Sequence, residues 1–316
     1  MFDSLITKVQ QKIHHWSAKL LSYACKVQLI NDVLFGLENF WCTSALQPKE
    51  VIKKLNRLCK DYFWGIVDGG RKLVFKKWSQ ICAPWNRGGF NIKNVEIWNI
   101  SLLIQWIWKL STNSAGFKGM LAARDKFLLK AGSVHTAMGL LNSWVAAPVQ
   151  TAFYSALIHP RVVPGHKIIA LLAAQGKLGT MDNLQYRGFS LANRCCLCQM
   201  AEETHHHIFF NCVFSGTVWQ NLLDWLRIHR HGLQLLDELQ WIVQYGTNKG
   251  WRTALFKTTI AAAVYELWRE RNGRIFSHHE RTVKGVVDRV KYIVTVRMLM
   301  FPQHAHSQFV LDSLRN

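Results

Sequence analysis

The sequence predicts a mainly α protein with a small irregular module between two helical regions. In several segments apolar residues recur at three- and four-residue steps, which places them on one face of a helix. The length of 316 residues exceeds that of a usual single domain, so we expect two compact units. Hydrophobic residues make up 49% of the chain and charged residues 18%, a composition typical of globular proteins rather than disordered ones.

The first part of the chain is predicted to be helical, with few other elements. One apolar face extends over residues 6–27. A second helix is expected over residues 48–65, because Pro48 is tolerated in a first turn and Gly65 favours a helix end. A third is expected over residues 95–110, and a brief strand over residues 73–75.

The second part begins after a stretch rich in Ser, Gly, Asn and Thr at residues 111–119, which is the best linker candidate. A short apolar helix is predicted from Lys167 to Ala174. Further helices are predicted from the apolar spacing over residues 218–226, 256–267 and 283–294.

A cluster of cysteines and histidines lies between these predicted helices. Cys195, Cys196, Cys198 and Cys212 fall close together with the run His205-His206-His207. Two cysteines separated by two residues can bind one ion from a single tight turn, and thiolate with imidazole suits Zn²⁺ better than Mg²⁺ or Ca²⁺. Four such ligands leave no open position, so the zinc would be structural. The spacing leaves open which histidine binds, and the alternative is a reduced cysteine cluster with surface histidines.

The charge balance predicts an anionic partner. Lys and Arg total 39 against 19 Asp and Glu, a formal net charge of +20, and such an excess attracts polyanions, of which nucleic acid is the commonest. The candidate contacts lie on the second predicted helix and near the end of the chain, where the alternative is ordinary solvated surface: Lys49, Lys53, Lys54, Arg57, Lys60, Arg269, Arg271 and Arg274.

The sequence predicts no membrane partner. The most apolar stretches, residues 101–110 and 254–268, are too short or too interrupted by Lys257 to cross a bilayer. Because no secretory start is visible, we expect an intracellular protein, nuclear or cytoplasmic, in which cysteines stay mostly reduced.

The cysteine-histidine stretch resembles the zinc-binding domain near the end of plant non-LTR (LINE-type) retrotransposon reverse transcriptases. The matching residues are Cys195-x-x-Cys198, Glu203-Thr204, His207-Ile208-Phe209-Phe210-x-Cys212, Phe214-Ser215 and Val218-Trp219. This resemblance implies zinc ligation by Cys195, Cys198, His207 and Cys212. It leaves Cys196, His205 and His206 outside the ligand set.

The resemblance covers most of the chain. Phe63-Trp64-Gly65 and Gly88-Gly89-Phe90 are similar to the segment beyond the polymerase palm, and the run from Trp268 to Phe276 looks like the closing helix. It implies four regions. These are a helical, thumb-like region (1–110), an uncertain linker (111–143), the zinc-binding domain (144–228) and a C-terminal helical region (229–316).

The resemblance also defines what this chain is expected not to do. Reverse transcriptases hold two Mg²⁺ ions on aspartates that include an adjacent pair, and this sequence contains no Asp-Asp dipeptide. We therefore expect a non-enzymatic C-terminal fragment that binds zinc and RNA or an RNA–DNA duplex, with an upstream polymerase domain as a further partner. The alternative is a truncated retrotransposon relic with only a structural zinc site.

Overall fold

The computed structural model describes residues 2–15, 21–36, 47–65, 74, 76–103, 154–189, 193–245 and 250–300. These residues are mainly helical and include no strand, which confirms the predicted fold class. The chain divides into two compact units, Met1–Val149 and Gln150–Asn316. The finer division into four regions stays a prediction.

The described part of the first unit is built from helices, and residues 104–110 of the predicted third helix lie outside it. The helices are α1 (Asp3–His15), α2 (Tyr23–Leu29), which continues as a π-helical turn over Ile30–Leu34, α3 (Lys49–Trp64), α4 (Trp78–Ile81) and α5 (95–103). The apolar face of residues 6–27 is thus divided between α1 and α2. Ser22 begins α2, because its hydroxyl accepts a hydrogen bond from the backbone N–H of Cys25 (3.3 Å).

Helix α3 matches its prediction closely. It buries Leu55, Cys59 and Phe63 against α1 and α2, and it ends at Gly65, whose φ of 66° is the left-handed conformation that glycine adopts without strain. Of the brief strand expected at residues 73–75, only Val74 is described, and it is not in a strand. The linker candidate at 111–119 lies outside the described residues.

The second unit contains the longer helices. They are α6 (Tyr154–Leu157), α7 (Pro164–Ala174), α8 (Met181–Gln185), α9 (Val213–Trp225), α10 (Leu235–Tyr245), α11 (Trp251–Ser277) and α12 (Val283–Leu299). Helices α7, α9, α11 and α12 confirm the predicted segments, although α11 extends ten residues past the predicted 267. None of the described helices is both long enough and apolar enough to cross a membrane.

Helix α11 is the central element of the second unit, because α7, α9 and α12 all pack against it. Ile260, Val264 and Leu267 are fully buried, and the run of alanines at residues 261–263 is also buried. Small side chains at these positions allow neighbouring helices to approach closely. The C-terminal turns of α11 extend beyond this core to the cysteine-histidine segment.

A buried histidine on α7 gives this core a pH dependence. His166 is 6% exposed and stacks on Tyr265 with ring centroids 4.3 Å apart. Burial, with smaller contributions from Arg289 and Arg297, lowers the pKa of His166 to about 4. The fold therefore holds the neutral imidazole, whereas the unfolded chain protonates it below its ordinary pKa of about 6.5.

We expect the free energy of unfolding to fall as the pH drops from about 6.5 to about 4, since the unfolded state then binds the additional proton. For His166 the loss between pH 7.5 and pH 5 should be about 2 kcal/mol. Urea unfolding of wild type and of His166→Gln at both pH values measures this loss. Other groups titrate in both proteins, so the difference between the two losses belongs to His166. An equal loss in both would contradict the assignment.

Candidate metal centre

The first half of the site is a tight turn that carries two cysteines. The backbone N–H of Gln199 donates to the carbonyl of Cys195 (2.8 Å), and the N–H of Cys195 donates to the carbonyl of Ala201 (2.8 Å). Gln199 completes the turn with a positive φ of 57°. This geometry places the thiols of Cys195 and Cys198 on the same side of the turn, where one ion can contact both.

The second half is a distorted helical turn, His207–Asn211, followed directly by α9. Phe210 has a φ of 75°, which is uncommon and costly for a bulky residue. Ser215 holds this conformation, because its hydroxyl accepts from the N–H of Phe210 (3.1 Å) and donates to the carbonyl of Cys212 (3.3 Å). The reversal brings His207 and Cys212 together, with the N–H of Cys212 bonded to the carbonyl of His207 (2.7 Å).

The two halves place four ligand atoms around one point. The ligand atoms of Cys195, Cys198, His207 and Cys212 all lie within 4.8 Å of one another. The Sγ atoms of Cys195 and Cys212 are 3.9 Å apart, and Cys198 Sγ lies 3.3 Å from His207 Nε2. Tetrahedral zinc with ordinary bond lengths requires about 3.8 Å between two sulfurs and about 3.6 Å between sulfur and nitrogen. The group can therefore hold a metal ion, and its dimensions fit zinc.

The surroundings of Cys212 stabilise its thiolate form. The hydrogen bond between Cys195 and Cys212, together with burial, raises the pKa of Cys195. The same hydrogen bond lowers the pKa of Cys212, whose sulfur also accepts from the backbone N–H groups of Ser215 and Phe214. Backbone N–H groups aimed at a buried sulfur stabilise a thiolate, which is the form that binds zinc.

The neighbouring cysteine and histidines lie outside this group. Cys196 Sγ is 3.9 Å from a carboxylate oxygen of Glu203 and 3.7 Å from the carbonyl of Arg271. Burial, and then the charge of Glu203, raises the pKa of Cys196 to about 12, so it stays a neutral thiol. The His205 ring packs on Phe209 with centroids 5.5 Å apart. Among the described residues, the four-ligand group includes neither His205 nor His206.

A buried ion pair fastens the site to α11. The guanidinium of Arg271 contacts Glu203 through Nη2–Oε1 (2.6 Å) and through Nε, which lies 3.1 and 3.2 Å from the two carboxylate oxygens. Arg271 is 3% exposed and Glu203 is 0% exposed. The same carboxylate accepts from the backbone N–H of Met181 (3.0 Å). Glu203 thus joins the cysteine-histidine segment to both α8 and α11.

A second arginine on α11 supports the cysteine turn directly. Arg274 Nη1 donates to the carbonyls of Cys196 and Leu197, each at 3.1 Å. Its Nε donates to Glu270 Oε1 (2.9 Å). Burial alone would raise the pKa of Glu270, but hydrogen bonds from Arg281 and Arg274 outweigh it and hold that pKa below its ordinary value. We call Glu203, Glu270, Arg271 and Arg274 the arginine clamp.

The arginine clamp includes two of the three arginines near the end of the chain that were predicted as nucleic-acid contacts. For these two, Arg271 and Arg274, the alternative was solvated surface. The guanidinium groups of both are instead engaged inside the protein, by Glu203 and Glu270. Glu203 is also buried. Only Arg269 of the three arginines is largely exposed, at 57%. The i, i+4 spacing of Glu270 and Arg274 was visible in the sequence, whereas the pairing of Arg271 with Glu203 spans 68 residues and had no local signal.

Comparisons with known proteins agree with this geometry. Residues 143–219, which include all four ligands, match the family described as zinc-binding in reverse transcriptase. A segment of 109 residues is 26% identical to an Arabidopsis thaliana protein named "Putative ribonuclease H protein". The match covers 34% of this chain and only 18% of that relative. No solved structure is recognisably similar.

The match and the cysteine-histidine cluster together indicate that residues 143–219 can hold a metal ion and are related to one part of reverse transcriptases. More specifically, the region around the cluster is similar to the zinc-binding domain of those enzymes. The similarity extends over a limited part of the chain, so the activities and partners of whole relatives enter below as proposals.

Proposed function

We propose that this chain is a zinc-binding and nucleic-acid-binding C-terminal part of a plant LINE-type reverse transcriptase, with no polymerase centre of its own. The observation that carries the proposal is the set of four ligand atoms within 4.8 Å, on residues whose spacing resembles that family. The absence of an Asp-Asp dipeptide supports the non-catalytic part. Ribonuclease H activity is not carried over, because the match covers only 18% of the relative that bears that name.

The zinc would act structurally. Cys195, Cys198, His207 and Cys212 would hold it with four protein ligands, which leaves no position for water or substrate. The ion would fix the tight turn to the distorted turn before α9. The arginine clamp then keeps this module against α11, so that the second unit folds as one body.

The nucleic-acid contact is proposed for one face of α3. Lys49, Lys53, Arg57 and Lys60 recur at helical spacing, and the first three are exposed. Lys53 pairs with Glu50 at 2.9 Å, but both side chains are more than 70% exposed, so this pair is weak and can exchange for phosphate. Lys54 lies beside this face. Contacts of this kind bind phosphate without reading sequence.

Removing these charges should weaken RNA binding and reduce its salt dependence. We expect the variant with Gln at Lys49, Lys53, Arg57 and Lys60 to bind more weakly at low salt. Its slope of log K against log salt should be less steep by about 3, because each lost single-strand phosphate contact accounts for about 0.7. Fluorescence anisotropy with a labelled single-stranded RNA and with an RNA–DNA duplex measures both effects.

The matched control removes the same charge from scattered exposed lysines, by replacing Lys8, Lys12, Lys177 and Lys284 with Gln. Equal losses in both variants would show only a general effect of net charge. If zinc-loaded protein binds neither RNA form at low salt, the result would instead favour the alternative, a truncated retrotransposon relic with only a structural zinc site.

A further inference from the structure

The second unit contains a cavity that the metal centre does not use. It has a volume of about 280 Å³ and lies among the end of α9, α10 and the start of α11. None of the four metal ligands lines it. Its walls include Arg227, Trp241, Trp251, Arg252 and Phe256.

The cavity combines a fixed aromatic wall with a cationic rim. Trp241 packs on Phe256 with ring centroids 5.2 Å apart. The guanidinium of Arg230 lies 4.5 Å from the centroid of the Trp241 ring. Arg230 is itself held by Glu238, with Nη2–Oε2 at 2.6 Å. Because Phe256 and Arg230 hold Trp241 from two sides, Trp241 is a fixed wall of the cavity and not its stacking surface.

The rim is open to solvent and positively charged. Arg227 and Arg252 are exposed, and Trp251 is half-buried. The guanidinium of Arg252 lies 5.6 Å from the Trp251 ring centroid. Among the described residues that line the cavity, none is acidic, so an anionic ligand meets no repelling carboxylate there.

We propose that this cavity binds one unpaired nucleobase of a single-stranded RNA, with the flanking phosphates on Arg227 and Arg252. The inference rests on the proposed nucleic-acid binding and specifies where an unpaired strand contacts the second unit. Trp251 is the ring assigned to stack on the base, because it lines the cavity and is half-buried. Every base has a π-face and stacks without a sequence requirement. The volume is slightly below the range for drug-sized ligands, about 300–1,000 Å³, and therefore suits a single base.

The two arginines favour this occupant over an apolar side chain of a protein partner. An apolar side chain would gain nothing from two exposed cations at the rim, whereas a nucleotide carries a phosphate on each side of its base. A base-paired strand cannot enter, because its bases are stacked and their edges are paired. The cavity should therefore discriminate unpaired RNA from a duplex.

The test compares Trp251→Ala and Arg252→Gln with wild type on labelled oligo(U) RNA and on an RNA–DNA duplex of equal length. We expect Trp251→Ala to weaken oligo(U) binding about 10-fold, as for loss of one stacked base, and to leave duplex binding unchanged. Trp251→Phe should retain most of the affinity. Tyr186→Ala, which removes an aromatic side chain that is 93% exposed, is the matched control and should have no effect.

Photo-crosslinking of 5-iodouridine RNA, read by mass spectrometry, should mark a residue of the cavity wall. Unchanged oligo(U) affinity in Trp251→Ala, or an equal loss with the duplex, would overturn the inference while binding by α3 remains. If wild type binds neither RNA form, the proposed function fails as well, so the two failures are distinguishable. Circular dichroism confirms that each variant is folded.

Discussion

Cys212→Ala is expected to abolish stoichiometric zinc binding and to unfold the segment from 193 to 212. The Cys195 and Cys212 sulfurs lie 3.9 Å apart in the fold, and the second turn includes the strained Phe210. Without the ion, the Ser215 hydrogen bonds and the arginine clamp remain to oppose that strain and the crowding of the ligands. Structural zinc contributes on the order of 10 kcal/mol in small zinc-dependent domains.

The loss here should be smaller, because the core made by α7, α9, α11 and α12 does not depend on the ion. We expect a loss of about 5 kcal/mol and a melting temperature lower by about 10–20 °C. Hydrogen exchange should show the 193–212 segment unprotected while α11 remains protected. A strong chelator should reproduce the effect in wild type.

The matched control is Cys196→Ala, which removes a thiol next to a ligand without removing a ligand. It should keep one zinc per chain and lose little stability, because Cys196 contacts Glu203 and the Arg271 carbonyl rather than the ligand group. If Cys196→Ala lost zinc as fully as Cys212→Ala, the assignment of ligands would be wrong.

Arg271→Leu should be among the most destabilising single changes outside the ligands. It leaves the Glu203 carboxylate, which is 0% exposed, without its cationic partner. Breaking a buried pair in this way typically costs about 3–5 kcal/mol, because the remaining charge is uncompensated. Arg271→Lys should restore only part of the stability, since an ammonium group cannot make the two-pronged contact.

A double-mutant cycle with Glu203→Gln separates the pair from its surroundings. The double variant should be clearly less destabilised than the sum of the single variants, with a coupling of about 2 kcal/mol. Arg269→Ala, on the same helix but 57% exposed, is the control and should change stability by less than about 0.5 kcal/mol. Strictly additive effects would show that the contact does not matter.

The clamp should also affect the metal. Groups that position a ligand-bearing turn typically change metal affinity 10–100-fold when they are removed. We therefore expect Arg271→Leu to lower zinc affinity within that range, although Arg271 touches none of the ligands. This effect distinguishes positioning of the site from a general loss of stability.

Much of the fold could be predicted from the sequence because helices leave a local signal. The apolar spacing located α3, α9, α11 and α12, and Gly65 marked the end of α3. Helix α10 has similar spacing, with Leu235, Leu239 and Ile242 buried, and could have been predicted by the same reasoning. The non-helical residues 21 and 22 before α2 have no strong signal, since one apolar face is predicted to continue through them.

The site was predictable only in part. The cysteine spacing indicated a metal ligand set. Ligand chemistry alone, however, does not distinguish among the three adjacent histidines. The choice among them depends on the reversal at Phe210, whose φ of 75° no local preference would suggest. The pairing of Arg271 with Glu203 depends on how α11 packs, so the tertiary fold had to be known first.

Zinc K-edge X-ray absorption of the purified chain, with metal analysis, tests the central claim most directly. The account predicts one zinc per chain, bound by three sulfurs at about 2.3 Å and one nitrogen at about 2.0–2.1 Å. The nitrogen should be lost in His207→Ala and retained in His205→Ala and His206→Ala. A folded chain without zinc, or a nitrogen that persists in His207→Ala, would contradict the account.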